Sequence, residues 1–208
     1  ASIGHPSHPK VALFEGCVQE PLAPQINAAA DRVLSRLGYR TIPVRYVGCC
    51  GALPYHMGRA NEARAMAVGN IEALHECIDR EGLDWIVMTA SGCGTMVKDY
   101  AHLLRNAPDH AQMAELVSRR TRDVTELASL HLGSFRPNPE TSLRVAYHPP
   151  CSLQHAQKVR QQPQDVLRAA GFTLVRFSEP GLCCGSAGAY SMLQPEISAR
   201  LRDRKLEN

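Results

Sequence analysis

The chain has 208 residues, a formal net charge of +3, and a composition that is 44% hydrophobic and 21% charged. These values are ordinary for a soluble globular protein, and the basic residues are interspersed with acidic ones, which argues against a nucleic-acid-binding surface. No apolar run is long enough to span a bilayer, and the first ten residues lack the apolar stretch of a secretory signal. We therefore expect a reducing, cytoplasmic compartment, where cysteines serve more often as ligands or redox groups than as structural disulfides.

The first part of the chain alternates short apolar runs with helical periodicity. Apolar runs that fit buried parallel strands cover Val11–Phe14, Tyr39–Val47 and Asp84–Thr89. Apolar residues at helical spacing predict helices over roughly 24–37, 57–80, 95–105 and 110–131. A basic run at 119–122 falls within the last helical stretch, where it predicts a solvated helix face and no nucleic-acid surface.

The second part repeats this order. Residues 133–142 predict a linker between a first domain, residues 1–132, and a second domain, residues 143–208. Further strands are predicted at Leu143–Tyr147 and Phe172–Phe177, separated by a helix over roughly 154–170 and followed by a last helix that is interrupted near Pro195. The sequence therefore predicts an α/β fold of two pseudo-repeated parallel units.

Seven of the eight cysteines fall in a pattern that repeats with the predicted elements. Two copies of the tripeptide CysCysGly each have another cysteine 32 positions upstream. The first set is Cys17, Cys49 and Cys50, and the second set is Cys151, Cys183 and Cys184. Cys93 completes the first set, and its counterpart would fall beyond Asn208, so we expect the second unit to be truncated at its C-terminus.

These cysteines follow predicted strands, and the carboxyl ends of parallel strands meet at one edge of a sheet. We therefore expect the four cysteines of the first set to converge on one site and the three of the second set on another. Several soft thiolates from different loops suit an iron–sulfur cluster. Neighbouring glycines leave amide groups free to donate hydrogen bonds to sulfur.

Two other interpretations of the cysteines stay open. Four thiolates also make a structural zinc site, but such sites usually use Cys-x₂₋₄-Cys pairs, which this chain lacks. Adjacent cysteines crowd a single zinc ion, whereas they can bind separate irons of a cluster, so a cluster is favoured over zinc. The preference for iron is weaker at the second site, because that site has only three cysteines. A vicinal disulfide in each Cys-Cys pair is expected only in damaged, cluster-free protein.

A few further residues have simpler interpretations. Cys77 belongs to no motif and is predicted to be a buried helix cysteine. His148 and His155 flank Cys151 and are predicted to donate hydrogen bonds to sulfur rather than to bind metal. Lys98 is predicted to be a solvated helix charge. No Ser/His/Asp set or carboxylate pair suggests a catalytic acid or base, so no catalytic residue is assigned.

The cysteine pattern resembles that of the cysteine-rich CCG family. That family includes a subunit of heterodisulfide reductase, a lactate-utilisation subunit and the iron–sulfur subunit of glycolate oxidase. The likeness is greatest to the C-terminal part of the glycolate oxidase type, and the stretches that carry it are residues 49–53, 90–94, 150–155, 182–188 and 190–196. Two departures matter: Ala90 stands where the family motif has the first cysteine of Cys-x-x-Cys, and no ferredoxin-like cysteine run is present.

The resemblance implies an iron–sulfur subunit of an oxidoreductase complex. It implies a [4Fe–4S] cluster on the first cysteine set and a second cluster on the incomplete second set, with zinc as the alternative metal. Electrons would pass from flavin-containing dehydrogenase subunits, which oxidise a 2-hydroxy acid such as glycolate, to a quinone or another acceptor. The complex would also contain an N-terminal ferredoxin-like region and would contact the inner face of the membrane through its other parts.

The family also offers two alternative functions. Disulfide reduction, as in heterodisulfide reductase, needs a cluster with an open iron or an extra thiolate, and Ala90 argues against the extra thiolate. A structural zinc-binding module is the non-redox alternative.

Overall fold

A computed structural model describes residues 8–137 and 143–208, and its parallel strands and helices confirm the predicted α/β class. The strands are β1 (Lys10–Leu13), β2 (Arg40–Thr41), β3 (Trp85–Met88), β4 (Thr121–Asp123), β5 (Arg144–Ala146) and β6 (Thr173–Val175). The helices are α1 (Gln19–Leu22), α2 (Gln25–Arg36), α3 (Ala52–His56), α4 (Ala60–Glu81), α5 (Ser91–Lys98), α6 (Tyr100–Leu103), α7 (Ala111–Arg120), α8 (Val124–Ser129), α9 (Gln162–Ala169), α10 (Tyr190–Leu193) and α11 (Pro195–Glu207). A 3₁₀ turn covers Leu132–Ser134 and a π-helical turn covers Ser152–Ala156. Of the predicted linker, residues 138–142 lie outside the described residues, as do residues 1–7 of the first predicted domain.

The first sheet has the strand order β2-β1-β3-β4, and every neighbouring pair is parallel. Side chains alternate between its two faces, as the pleat of a strand requires. Val11 and Val87 pack with Leu34 of α2 on one face. Ala12, Ile86 and Met88 point to the other face, where α4 and α7 cover them. The carboxyl ends of β1, β2 and β3 therefore share one edge, which positions the loops that carry cysteines.

The second sheet consists of two parallel strands, β5 and β6, with Arg144 opposite Thr173. Strands β1 and β2 of the first sheet are also parallel neighbours, with Lys10 opposite Arg40. The superposition of the two predicted units stays a prediction.

Among the described residues, no helix combines the length and the apolar composition that crossing a membrane requires.

Four predicted elements differ from the structure. The predicted helix over 95–105 begins earlier, at Ser91, and is divided into α5 and α6. Strand β2 ends at Thr41 rather than Val47, because Pro43 lacks the N–H that would continue the ladder. The predicted helix over 110–131 is divided into α7, the short strand β4 and α8, which Asp123 begins with a capping box. The basic run is therefore divided: Arg119 is exposed in the last turn of α7, as predicted, whereas Arg122 lies in β4 with its guanidinium 4.5 Å over the ring of Trp85. The predicted helix over 154–170 consists of the π-helical turn, a loop and α9.

Candidate functional site

Cys17, Cys49, Cys50 and Cys93 come together at the carboxyl edge of the first sheet. The thiol of Cys17 lies close enough to that of Cys49 for the two to interact, and the thiol of Cys50 lies close to that of Cys93, so each pair is coupled electrostatically. A Cβ atom built on Gly16 would lie 3.8 Å from the sulfur of Cys93, so the loop after β1 touches the segment after β3. The structure thus brings the four predicted side chains of the first set into one group.

The thiols of this group shift the pKa values of one another. Burial, and then the neighbouring thiol of Cys49, raise the pKa of Cys17. The neighbouring thiol of Cys93, together with burial, raises the pKa of Cys50, and the thiol of Cys50 lowers the pKa of Cys93. Cys93 therefore loses its proton more readily than Cys50, and its negative charge then opposes ionisation of Cys50. A cation among the thiols would relieve this repulsion and favour deprotonation of all four.

Helix α5 begins at Ser91, so Cys93 lies in the first helical turn and not in a loop as predicted. The amide of Gly94 donates to the carbonyl of Ala90 at 2.9 Å, which closes this turn. The N-terminal end of a helix carries partial positive charge and favours a thiolate. The fold therefore places Cys93 where its charged form is stabilised.

The first CysCysGly loop depends on the glycine at its end. Gly51 has a φ of 83°, in the left-handed region, and a Cβ there would lie 3.1 Å from the carbonyl oxygen of Ala63 in α4. The amide of Gly51 donates to the sulfur of Cys49 at 3.5 Å. The glycine thus allows both the close packing of α4 and a backbone hydrogen bond to a predicted ligand.

A buried pair of polar side chains, Asn70 in α4 and Tyr100 in α6, holds the same loop from inside. Asn70 Nδ2 donates to the carbonyl of Cys49 at 2.9 Å, and Tyr100 Oη donates to the carbonyl of Cys50 at 2.9 Å. Sequence reasoning missed both residues, because each lies in a helix far along the chain and belongs to no local motif. The spacing of a helix places Asn70 on its buried face, which is the one signal that the sequence offers.

Polar side chains also hold the loop that follows Cys17. Gln19 Nε2 donates to Thr89 Oγ1 at 2.8 Å, and Thr89 Oγ1 donates to Asn27 Oδ1 at 2.7 Å. Asn27 is buried, with 6% of its surface exposed. These bonds tie the start of α1 to the end of β3 and fix the loop of Cys17 beside the helical turn that carries Cys93.

The second cysteine set is more open. Cys151 is exposed at the start of the π-helical turn, and Cys183 and Cys184 are half-buried in one loop. Gly185 repeats the geometry of Gly51, since its φ is 83° and its amide donates to the sulfur of Cys183 at 3.4 Å.

The two sets are joined by direct contacts between the segments that carry them. Ser152, next to Cys151, donates through Oγ to Oγ of Ser91 at 2.7 Å. Thr95 Oγ1 donates to the carbonyl of Ser152 at 3.2 Å, and Gln157 Nε2 donates to the carbonyl of Ser91 at 2.8 Å. Gln157 packs against Gly94, which has no room for a Cβ. The π-helical turn after Cys151 is therefore docked on the first turns of α5, which hold Cys93.

The remaining predicted residues have mixed outcomes. Cys77 is a buried residue of α4, as predicted. Lys98 forms an ion pair with Glu126 at 2.5 Å, with both side chains about four-fifths covered, so the prediction of a solvated charge is wrong. Both ring nitrogens of His148 are buried without a hydrogen-bond partner in the described residues, so it donates no bond to sulfur there. Burial, and then the charge of Lys205, lower the pKa of His148 and favour its neutral form.

The donor set of the first site fits a multi-iron cluster. It consists of four soft thiols from three separate segments, with a backbone amide already aimed at one sulfur. Across residues 8–137 and 143–208, no group of three or more His, Cys, Asp or Glu side chains is arranged around the position of a single ion. The residues that would hold a cluster are Cys17, Cys49, Cys50 and Cys93, with Cys151, Cys183 and Cys184 as an incomplete second set.

Comparisons with known proteins give a consistent result. A family model described as "Cysteine-rich domain" (CCG) matches residues 11–98 and 145–208. The glycolate oxidase iron-sulfur subunit of Escherichia coli (strain K12) is 40% identical over 203 residues, which cover 95% of this chain and 48% of that protein. A subunit of the fumarate reductase (CoM/CoB) of Methanothermobacter marburgensis is 29% identical, over 99% of this chain and 39% of that protein. Lactate utilization protein A of Exiguobacterium sp. is 27% identical, over 96% of this chain and 80% of that protein. The chain thus spans less than half the length of the first two relatives.

Proposed function

Because the chain belongs to the cysteine-rich CCG domain family, we propose that it is an iron–sulfur electron-transfer unit of an oxidoreductase complex that oxidises a 2-hydroxy acid. Relatives named as the iron–sulfur subunit of glycolate oxidase and as lactate utilization protein A support this class of substrate. Glycolate is the substrate we propose for the complex, since the glycolate oxidase subunit of Escherichia coli shares 40% identity with the chain. In this proposal the two matched segments, residues 11–98 and 145–208, are two copies of one unit.

The observation that carries the proposal is the direct contact between the segments that carry the two cysteine sets. Ser152 follows Cys151, Ser91 precedes Cys93 by two positions, and their hydroxyl oxygens are 2.7 Å apart. An electron relay needs its redox centres close together and joined by rigid, packed protein. The hydrogen bond between the two serines, reinforced by Thr95 and Gln157, supplies such a connection between the proposed sites.

The residues of the first site have defined roles in this proposal. Cys17, Cys49, Cys50 and Cys93 would bind one [4Fe–4S] cluster, which when bound supplies reversible one-electron chemistry. The amide of Gly51 donates to the sulfur of Cys49 and stabilises negative charge there. The N-terminal turn of α5 does the same for Cys93.

Exposed apolar side chains near the cysteines support docking of a partner subunit. Large apolar residues that are more than a third exposed follow the cysteines of both sets and include Val18, Leu22, Leu53, Tyr55, Met57, Tyr190, Met192 and Leu193. The two post-CysCysGly segments adjoin, because a Cβ on Gly188 would lie 3.9 Å from the ring of His56. We propose a flavin-containing dehydrogenase subunit as the partner, since an electron donor must approach the clusters closely.

The proposal extends to a location and to a final acceptor. Thiolate clusters with exposed cysteines such as Cys17 and Cys151 suit a reducing compartment, which favours the cytoplasm. A quinone or another acceptor at the inner face of the membrane would take the electrons through other parts of the complex.

The experiment is anaerobic reconstitution of the chain with ferrous iron and sulfide, followed by metal analysis, visible absorption and a dye-mediated redox titration. The proposal predicts bound iron and sulfide in equal amounts and a visible band that bleaches reversibly on reduction. Bound zinc in place of iron, or iron that does not change oxidation state reversibly, would contradict it and favour a structural site.

A further inference from the structure

The buried pair Asn70 and Tyr100 binds the backbone of the first CysCysGly loop at three points. Tyr100 is fully buried and Asn70 is 2% exposed. In addition to their bonds to the two cysteine carbonyls, Asn70 Oδ1 accepts a hydrogen bond from the amide of Gly48 at 2.8 Å. Asn70 Nδ2 also donates to Tyr100 Oη at 3.0 Å, so the two side chains hold each other in place. The polar groups of this network are matched as donors and acceptors, which makes the network rigid.

The bond from Tyr100 fixes the orientation of one particular peptide group. The carbonyl of Cys50 and the amide of Gly51 belong to the same planar, trans peptide, so they point in opposite directions. Because Tyr100 Oη holds this carbonyl towards the interior, the amide must point outwards. That amide is the group that donates to the sulfur of Cys49 at 3.5 Å.

We propose that Tyr100 and Asn70 are positioning residues that set the reduction potential of the first cluster by holding the Gly51 amide on the Cys49 sulfur. This inference rests on the proposed function for its cluster, whereas the peptide orientation is a property of the chain alone. A hydrogen bond to a cluster sulfur stabilises the extra negative charge of the reduced state and so raises the reduction potential. Loss of the Tyr100 hydroxyl frees the peptide to rotate, which weakens this bond and lowers the potential.

The test compares Tyr100→Phe with a matched control, Tyr39→Phe. Each change removes one phenolic hydroxyl from a buried tyrosine and keeps the ring. The hydroxyl of Tyr39 lies 3.0 Å from Nε2 of His131, and Tyr39 precedes β2 at the sheet edge opposite the cysteines. Effects that come only from losing a buried hydroxyl should therefore appear in both variants.

The first measurement uses the metal-free chain and follows hydrogen exchange of the Gly51 amide by NMR. We expect exchange to be about tenfold faster in Tyr100→Phe and unchanged in Tyr39→Phe, because only the former loses the bond that orients the peptide. The amide of Phe14, which donates to the carbonyl of Val87 at 2.9 Å, serves as the internal reference. Unchanged Gly51 exchange in Tyr100→Phe would overturn the inference, whatever the chain binds.

The second measurement is the reduction potential of the iron-loaded chain. At a fixed ambient potential, the ratio of reduced to oxidised cluster should fall about tenfold in Tyr100→Phe, which corresponds to about 59 mV for one electron. Tyr39→Phe should keep the potential of the unmodified chain. Faster Gly51 exchange with an unchanged potential would overturn the inference and leave the proposed function standing. Failure of the unmodified chain to bind any cluster would overturn the proposed function. It would also overturn the proposal that Tyr100 and Asn70 set a reduction potential.

Discussion

The two CysCysGly loops share a backbone geometry but are stabilised in different ways. Gly51 and Gly185 have the same φ of 83°, and each donates its amide to the sulfur two positions before it. The first loop is held by the buried, uncharged pair Asn70 and Tyr100. The second is held by α11, where Ser198 Oγ donates to the carbonyl of Gly185 at 2.8 Å and Arg204 forms an exposed ion pair with Glu179. The tripeptide thus encodes the local conformation, while distant residues determine how firmly it is held.

This difference has a physical consequence for the two sites. A buried hydrogen-bond network acts in a medium of low polarity and is not screened by salt, whereas an exposed ion pair is screened and contributes little. We therefore expect the first loop to be the more rigid of the two, with the better-retained cluster. The following predictions run from the largest expected effect to the smallest.

The largest effect is expected from Gly51→Ala. Alanine at a left-handed φ costs about 1–2 kcal/mol, and its Cβ would press on the backbone of Ala63 in the buried helix α4. Because α4 cannot move without disturbing the core, the total loss of unfolding free energy should reach about 3 kcal/mol. Urea denaturation measures this loss.

Gly185→Ala is the matched change in the second loop. Its Cβ would overlap the carbonyl oxygen of Ser198, but α11 has no buried residue and can shift away. We expect a loss of about 1–2 kcal/mol, mostly from backbone strain. A larger loss for Gly185→Ala than for Gly51→Ala would contradict the proposed difference in rigidity.

The next effect is expected from Asn70→Ala. This change removes the partner of the Gly48 amide and of the Cys49 carbonyl, and it leaves the buried hydroxyl of Tyr100 without the hydrogen bond that Asn70 donates to it. An unsatisfied buried group costs about 1–3 kcal/mol, so we expect a loss of about 2 kcal/mol in urea denaturation of the metal-free chain. Asn61→Ala, on the exposed side of the same helix, is the control and should change stability by less than about 0.5 kcal/mol. Equal losses for the two variants would show that the network does not stabilise the loop.

A smaller effect is expected from Ser152→Ala, at the contact between the two cysteine sets. The change removes one neutral hydrogen bond to Ser91 and should reduce stability by about 1 kcal/mol. In the iron-loaded chain it should also weaken any magnetic interaction between the two reduced clusters, observed by electron paramagnetic resonance. If stability falls but the electron paramagnetic resonance spectrum does not change, the contact between Ser152 and Ser91 stabilises the fold without coupling the two clusters.

The smallest effect is expected from salt. Raising the salt concentration to about 1 M shortens the screening length to about 3 Å and weakens the pair of Arg204 and Glu179. The amide of Leu182, which donates to the carbonyl of Glu179 at 2.9 Å, should exchange about two- to threefold faster, and that of Gly51 should not change. The same salt response at both amides would contradict the distinction between the two loops.

The sequence was sufficient to predict the elements that carry strong periodicity. Helix α2 and strand β3 follow directly from apolar spacing, and the cysteine pattern predicted the group around Cys93. Strand β4 was missed because Thr121–Asp123 is short and polar. Thr121 is buried with its hydroxyl donating to the carbonyl of Val117, and no apolar pattern indicates such a bond.

The supports of the site were beyond sequence reasoning for a different reason. Asn70 lies 21 positions after Cys49, and Tyr100 lies 50 positions after Cys50. Only the packing of α4 and α6 against the loop brings them to the cysteine carbonyls. The contact of Ser152 with Ser91 likewise joins residues 61 positions apart. Local motifs therefore identified the thiols, and tertiary packing determined which polar groups hold them.

Iron counting on cysteine variants tests the central claim most directly, that the first cysteine set binds a cluster more firmly than the second. After anaerobic reconstitution and removal of loosely bound metal, the unmodified chain should retain about four irons at the first site. Cys50→Ser should lose most of this iron, Cys184→Ser should lose little, and Cys77→Ser should match the unmodified chain. Equal iron loss in Cys50→Ser and Cys77→Ser, or a greater loss in Cys184→Ser than in Cys50→Ser, would contradict the account.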